Sequence, residues 1–583
     1  MPHDQLTTPD PTTLLHPVPR TVPTGPVLRG VGVGRGAAVG PVVRVHPAPV
    51  LPSTEPTAPD PAAAVGQALD AVARDLDDLA AAAEGSTLGD VLRATAAMAA
   101  DELLRAEALR RVAGGTTPAR AVDEAVEEVC AGFTAAGGYL AERVTDLRSV
   151  RHRVVARLLG LPTPGVPVLD APSVVVADDL APADTAGLDA TRVLAIVTEQ
   201  GGPTGHTAII AGQLGIPCVV RVPGAGTLAP GTLVAVDAAA GLVHRDPGPA
   251  LRKELAGRTA ALRRLADDTA PGSTADGQEV ALLANIGTAE DARALPRGTE
   301  GVGLFRTEVL FLSRATAPGV EEQAEVYAAV LGALGRRKVV VRTLDAGADK
   351  PLPFAGLAAE ENPALGVRGL RLARCRPELL DDQLRALALA AGRTGVQPWV
   401  MAPMVSTPGE AAQFAERARS AGLSMIGAMV EVPAAAWSAP ALVAALDFVS
   451  IGTNDLAQYT MAADRLNGDL ADLLDPWQPA VLALVARTVE AALAAGRPVG
   501  VCGESAADPA MALVLAGLGV TSLSMSASSL AAVRFSLRRH SRETCRQIAG
   551  SALAAADAPG ARAAALVRVA PEVRRTLALS GRR

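Results

Sequence analysis

Over roughly its last 300 residues the chain alternates strand-like and helical runs eight times, and this alternation restricts the fold more than any other feature. The strand-like runs are VALLANIG, GVGLFRT, KVVVRTLD, PWVMAPMV, SMIGAMVEV, DFVSIGTND, PVGVCGE and VTSLSMS. Eight short apolar strands, each followed by helical spacing, predict a (β/α)8 barrel over residues 278–583.

In such a barrel the C-terminal strand ends face the active site. Here those ends carry Asn285, Arg306, Arg342 with Asp345, Glu431, Asn454 with Asp455, Cys502, and Ser524 with Ser526. Only the Met404 strand lacks a polar or reactive group. Strand ends that merely became solvated loops would show mixed Ser, Asp and Gly, so the set predicts a functional cluster. Arg306, Arg342 and Arg465 offer planar forks for phosphate or carboxylate oxygens. Glu431 and Asp455 end adjacent strands and suit a hard cation such as Mg²⁺, with other ligands from substrate and water. Cys502, beside the arginines, is read as a proton-donor thiol rather than a buried small hydrophobe.

The N-terminal half has other textures. Residues 1–27 hold seven Pro and no periodicity, which predicts a disordered tail. Residues 28–50 and 165–250 read as one α/β domain, and residues 55–160 as an all-helical module inserted into it. Residues 251–277 read as a charged linker helix, and the Pro-rich stretch 47–61 as a second hinge. Within the α/β domain, QGGPTGHTAII sets His206 at a helix start behind a Gly-rich turn. A phosphate carried there would meet free amides and the positive helix end.

Composition narrows the partners. Acidic residues outnumber basic ones 61 to 54, for a net charge of −7, and no basic cluster stands out. The main partner is therefore not a nucleic acid. The N-terminus has no secretory pattern. The longest uncharged run, Pro509–Val533, is broken by Gly517 and Gly519, so no membrane insertion is expected. Five scattered Cys without a CxxC pair fit a reducing cytoplasm. The chain has only three Lys (253, 338, 350) and four Asn (285, 362, 454, 467). A Lys retained against that drift, as Lys350 is in GADKPLP, is a credible compact charge at the site.

The motifs GVGLFRTEVLF, VVRTLDAGADKPLP, EENPALGVRGLR, MVEVPAA, SIGTNDLAQYTMAADR and CGESA resemble enzyme I of the bacterial sugar phosphotransferase system, the phosphoenolpyruvate–protein phosphotransferases. The resemblance runs in order from about Leu28 to the C-terminus. It implies phosphorylation of His206 by phosphoenolpyruvate (PEP), with release of pyruvate and Thr185 contacting the phosphoryl group. It further implies PEP binding by Arg306, Arg342, Lys350, Asn454, Asp455 and Arg465, Mg²⁺ on Glu431 and Asp455, and protonation of the enolate by Cys502. The implied partners are the carrier protein HPr, docked on the helical module, and a second copy of the chain, paired through the barrel.

Gly205 stands where this family usually has Ser, a change worth about 0.5 kcal/mol at a helix cap. Val432 and Ser505 also depart from the family pattern. Two alternatives stay open: a specialised paralogue phosphorylating another carrier, and a catalytically weakened regulatory copy.

Overall fold

The computed structural model describes residues 26–579 apart from 57, 83–86, 137–142, 181, 186–187, 190, 203–205, 313, 315, 348–351, 359 and 466. The tail therefore falls outside the described residues up to 25. Val27, which the sequence groups with that tail, instead opens a strand. It pairs with His244 and brings Leu28 into the domain core.

The α/β domain is one mixed sheet of β1 (Val27–Arg29), β2 (Val31–Val33), β3 (Ala37–Arg44), β4 (Ser173–Ala177), β5 (Val193–Thr198), β6 (Cys218–Val220), β7 (Leu233–Asp237) and β8 (Leu242–Arg245). Their spatial order is β1-β8-β7-β3-β4-β5-β6-β2. β3 and β4 run parallel, Val42 opposite Val174. Parallel neighbours cannot be joined by a tight turn, and here the crossover is the whole helical module. Its helices include Pro61–Ala82, Thr87–Ala99, Glu102–Ala113, Pro118–Ala136 and Val144–Leu158. Val65, Leu69, Val72 and Leu76 form a stripe at helical spacing on the first of these and bury it in the module's own core.

The helix Pro249–Ala266 joins the two halves of the chain. Leu251 and Leu255 pack on Ala37, Val39 and Ala235 of the sheet, and the Thr259 hydroxyl donates to the Ala37 carbonyl at 2.9 Å. Further along, Leu262 and Leu265 pack against the barrel core. The helix expected as a hinge is thus anchored at both ends.

β9 (Ala281–Ile286), β10 (Gly301–Arg306), β11 (Lys338–Arg342), β12 (Trp399–Ala402), β13 (Met425–Val430), β14 (Phe448–Ile451), β15 (Val499–Val501) and β16 (Ser522–Met525) are all parallel and close into the expected barrel. Closure falls between β16 and β9, where Leu523 faces Leu282. Inward-facing Leu304, Val340, Met401, Met429 and Phe448 fill the interior beneath Cys502. Alanine, valine and leucine dominate the outer shell between strands and helices. No described helix is long and apolar enough to cross a membrane.

One of the three lysines helps to close the floor of this barrel. Lys338 begins β11, and its Nζ lies 3.7 Å from the centre of the Trp399 ring and 5.9 Å from that of Phe448. The aromatic faces attract the ammonium, while burial pushes its pKa down to about 8. An amine with a folded-state pKa below its unfolded value costs stability at neutral pH. That cost fades as pH rises from about 8 toward the unfolded value of 10.5. Across this range wild-type stability is expected to gain on that of Lys338→Met by up to about 1.4 kcal/mol per pH unit, read from urea midpoints.

Candidate active site

The strand register brings most of the candidate residues to one place. Arg306 and Arg342 end neighbouring strands and face each other in the β10–β11 pairing. Glu431 follows β13, and Asn454 and Asp455 open the helix that follows β14. Cys502 follows β15. With Arg465 these side chains line one cavity of about 170 Å³ at the C-terminal mouth of the barrel.

Asp345, a strand-end residue given no individual role, also lines this cavity, and so do two residues that the sequence did not single out, Arg368 and Glu308. Arg368 lies on the loop after β11, inside the motif EENPALGVRGLR, so a search of strand ends passes over it. It is buried and joins two carboxylates, Nη2 to Asp345 at 3.2 Å and Nη1 to Asp455 at 3.3 Å. Arg342, 6% exposed, is held by Glu308 at 2.7 Å and Asp345 at 2.8 Å. Arg465 Nη1 lies 3.6 Å from Asp455. Together they form a chain of alternating charge across the mouth. Burial works against the Arg342 cation, but Asp345, Glu308 and Glu431 outweigh it and hold its pKa above the usual arginine value. Its Nε has no hydrogen-bond partner among the described residues.

The backbone behind Arg342 is fixed by a fully buried amide. Gln383 accepts from the Leu344 N–H at 2.8 Å and donates to the Thr307 hydroxyl at 3.0 Å. Thr307 in turn donates to the Arg342 carbonyl at 2.9 Å. Such satisfied networks lock side-chain position in a dry interior.

Glu431 is 1% exposed, and its Oε1 accepts the Met404 N–H at 2.6 Å. The strand that lacked a polar side chain therefore contributes through its backbone. Met404 adopts a left-handed conformation, φ 55°, which side-chain-bearing residues rarely hold and which is found at functional sites. Gly452 completes the cradle, since a Cβ there would lie 2.8 Å from Glu431 Oε2. Burial, then the charges of Asp455 and Asp345, pushes the Glu431 pKa up to about 8. A cation between these carboxylates would relieve that repulsion. Among the described residues no group of three or more His, Cys, Asp or Glu side chains could hold a metal ion. Two carboxylates with open positions suit Mg²⁺, which keeps water and substrate ligands.

Cys502 is buried, its Sγ 3.6 Å from the Ile451 carbonyl, and burial pushes its pKa up to about 11. The Asn454 side chain accepts the Glu504 N–H at 3.0 Å and so pins the loop after Cys502. Asn285 donates to the Cys502 carbonyl at 3.3 Å and accepts from the Ser524 hydroxyl at 2.6 Å.

On the α/β domain, His206 begins the helix His206–Leu214. Thr207 is buried and donates to the Leu180 carbonyl at 3.3 Å, tying the helix start to the loop after β4. Thr185 ends the short helix Pro182–Thr185, which packs against the His206 helix; it is 2% exposed. A cleft of about 490 Å³ runs past Gly201, Gly202 and Thr207 to Thr145 and His152 of the helical module. Lys350 and Gly205 lie outside the described residues.

A barrel with an arginine-rich mouth, joined to a separate α/β domain bearing a histidine at a helix start, is the architecture of a PEP-utilising enzyme. Family models described as PEP-utilising enzyme, N-terminal, mobile domain and PEP-binding domain match residues 29–143, 169–241 and 262–542. The phosphoenolpyruvate-protein phosphotransferase of Streptomyces coelicolor is 50% identical over 546 residues, covering 92% of this chain and 98% of that one. The Bacillus subtilis protein of the same name is 35% identical, covering 88% and 95%. A solution structure titled as Enzyme I (nEIt) aligns with 40% of this chain and 99% of its own at 28% identity, TM-score 0.37. The chain belongs to the phosphoenolpyruvate–protein phosphotransferase family. It is a transferase that uses PEP.

The thiols are expected to separate sharply by position. At pH 8 a thiol with pKa near 11 is only about 0.1% thiolate. Iodoacetamide should therefore alkylate exposed Cys375 quickly and leave buried Cys130, Cys218, Cys502 and Cys545 largely unmodified in the native protein, as counted by peptide mass spectrometry.

Proposed function

We propose that this chain transfers the phosphoryl group of PEP to His206, releases pyruvate, and passes the phosphoryl group to the carrier protein HPr. This is the first step of sugar uptake by the phosphotransferase system, in the cytoplasm. The observation that supports it best is the single cavity joining four arginines, Asn454, four carboxylates (Glu431 and Asp455 among them) and a protonated thiol.

In this reading the guanidinium groups, with Lys350, bind the phosphate and carboxylate of PEP and neutralise charge that develops during transfer. Mg²⁺, held by Glu431 and Asp455, would add charge neutralisation at the transferring phosphoryl oxygens. Neutral His206 attacks phosphorus in line, and the bond between phosphorus and the enolate oxygen breaks. Cys502 donates its proton to the enolate carbon, giving pyruvate, and the thiolate is reprotonated from water. Its raised pKa suits that role, because the proton stays on sulfur until a stronger base, the enolate carbon, appears. Thr185 supports phosphohistidine, HPr docks on the helical module, and two copies pair through their barrels.

Two experiments bear on the scheme. With labelled PEP and Mg²⁺, the wild type is expected to gain acid-labile, base-stable phosphate that HPr removes. Label that survives in His206→Ala would refute the assignment. Cys502→Ala should lower turnover about 100-fold or more with little effect on PEP binding.

Metal binding should be linked to pH. Below about pH 8 the metal must displace a proton from Glu431, so apparent Mg²⁺ affinity is expected to rise up to about tenfold per pH unit from pH 6 to about 8 and then level off. Calorimetric titration measures this, and Glu431→Gln should abolish the dependence.

A further inference from the structure

An ion pair ties the α/β domain to the rim of the barrel. Arg35 lies in the turn between β2 and β3, and its Nη2 is 3.5 Å from Asp508 Oδ1 on the barrel. Asp508 caps the helix Pro509–Leu518, its Oδ1 accepting the Ala510 N–H at 2.8 Å. Its Oδ2 lies 3.2 Å from Arg562 Nη1, on the helix Ala558–Arg568. One carboxylate is thus shared by a helix cap and two guanidiniums from distant parts of the chain. Burial alone would push its pKa up, but Arg35 and Arg562 hold it below the usual carboxylate range. The helix it caps follows the Cys502 strand, so the contact sits on the same rim as the cavity.

The end of the α/β domain that makes this contact is the one away from His206. β2 pairs with β6, Val33 opposite Cys218, and a Cβ on Gly36 would lie 2.7 Å from the Pro217 ring. Arg35 therefore sits where the helix His206–Leu214 has ended and β6 begins. His206 is at the other end of that helix, which spans about 13 Å at 1.5 Å per residue. On the His206 side, the cleft past Gly201 and Thr207 is closed by Thr145 and His152 of the helical module. The domain grips the barrel with one end and presents the start of the His206–Leu214 helix to the helical module with the other.

We propose that Arg35, Asp508 and Arg562 form an interdomain latch that holds the α/β domain with the start of the His206–Leu214 helix toward the helical module, and that the latch opens each time His206 visits the barrel. The inference rests on His206 being the phosphoacceptor. The linker helix is fixed to the α/β sheet by Leu251, Leu255, the Thr259 hydroxyl and an Arg258–Asp237 ion pair, whereas it meets the barrel core through apolar Leu262 and Leu265, a contact with no directional preference of its own. The ion triad is directional, so its loss shifts the balance between the two postures without touching the chemistry.

The test compares full-length wild type with Arg35→Glu, which sets like charges against each other, and Arg35→Lys, which retains attraction. Arg35 lies in a turn, so neither change removes a core contact. In a single turnover with labelled PEP and Mg²⁺, Arg35→Glu is expected to take up label about threefold faster than wild type, the scale of one partly exposed ion pair. Small-angle scattering should show a larger radius of gyration for this variant, with Arg35→Lys close to wild type on both measures. An unchanged scattering profile, or labelling that is unchanged or slower, overturns the latch. If wild type takes up no label at all, the proposed acceptor fails instead, and scattering alone then decides whether the latch exists.

Discussion

Charges buried without water must find partners, and at the barrel mouth that requirement organises everything else. A buried ion stripped of its partner costs several kcal/mol, so the groups that bind substrate are first bound to each other. From β10 to the loop after β14 the signs alternate: Glu308, Arg342, Asp345, Arg368, Asp455, Arg465. Glu431 is the group that the chain does not neutralise. It is held by a backbone amide from the strained Met404, faces other carboxylates, and is raised well above an ordinary glutamate as a result. Together with Arg306, which the alternation also leaves out, it gives the site a carboxylate and a guanidinium suited to a dication and an anion arriving together.

The division of labour between domains follows from sheet topology. β3 and β4 are parallel neighbours, and the long crossover they need is spent on an entire helical module. That places the module against the His206 side of the sheet, while the opposite side touches the barrel through Arg35. The linker helix is tied to both bodies, so movement of the domain involves parting packed surfaces rather than bending a loose tether.

Much of this was legible before any coordinates. Short apolar runs alternating with helical spacing marked each barrel strand, and polar residues at strand ends marked Arg306, Arg342, Glu431, Asn454, Asp455 and Cys502. Strand ends also marked Asn285 which, with Asn454, buttresses the Cys502 loop from two sides. The same reasoning passed over Arg368, because it sits on a loop, and over the Met404 strand, because it contributes an amide rather than a side chain. Lys338 had no role until its cation was found over Trp399, a contact between residues 61 positions apart in the chain.

By itself, the sequence determined what is periodic or local: the eight-fold alternation, the inserted helical texture, the histidine behind a glycine turn and the chemical kinds of group at the strand ends. Tertiary structure decided which charges neutralise which, that a backbone amide and a glycine hollow cradle Glu431, and which end of the α/β domain meets the barrel. The physical reason is range. Periodicity and capping act within a few residues and are written in the chain's order. Burial, and the charge pairing it enforces, join residues tens to hundreds of positions apart, and only closure of the barrel and the path of the crossover bring them within a few ångströms.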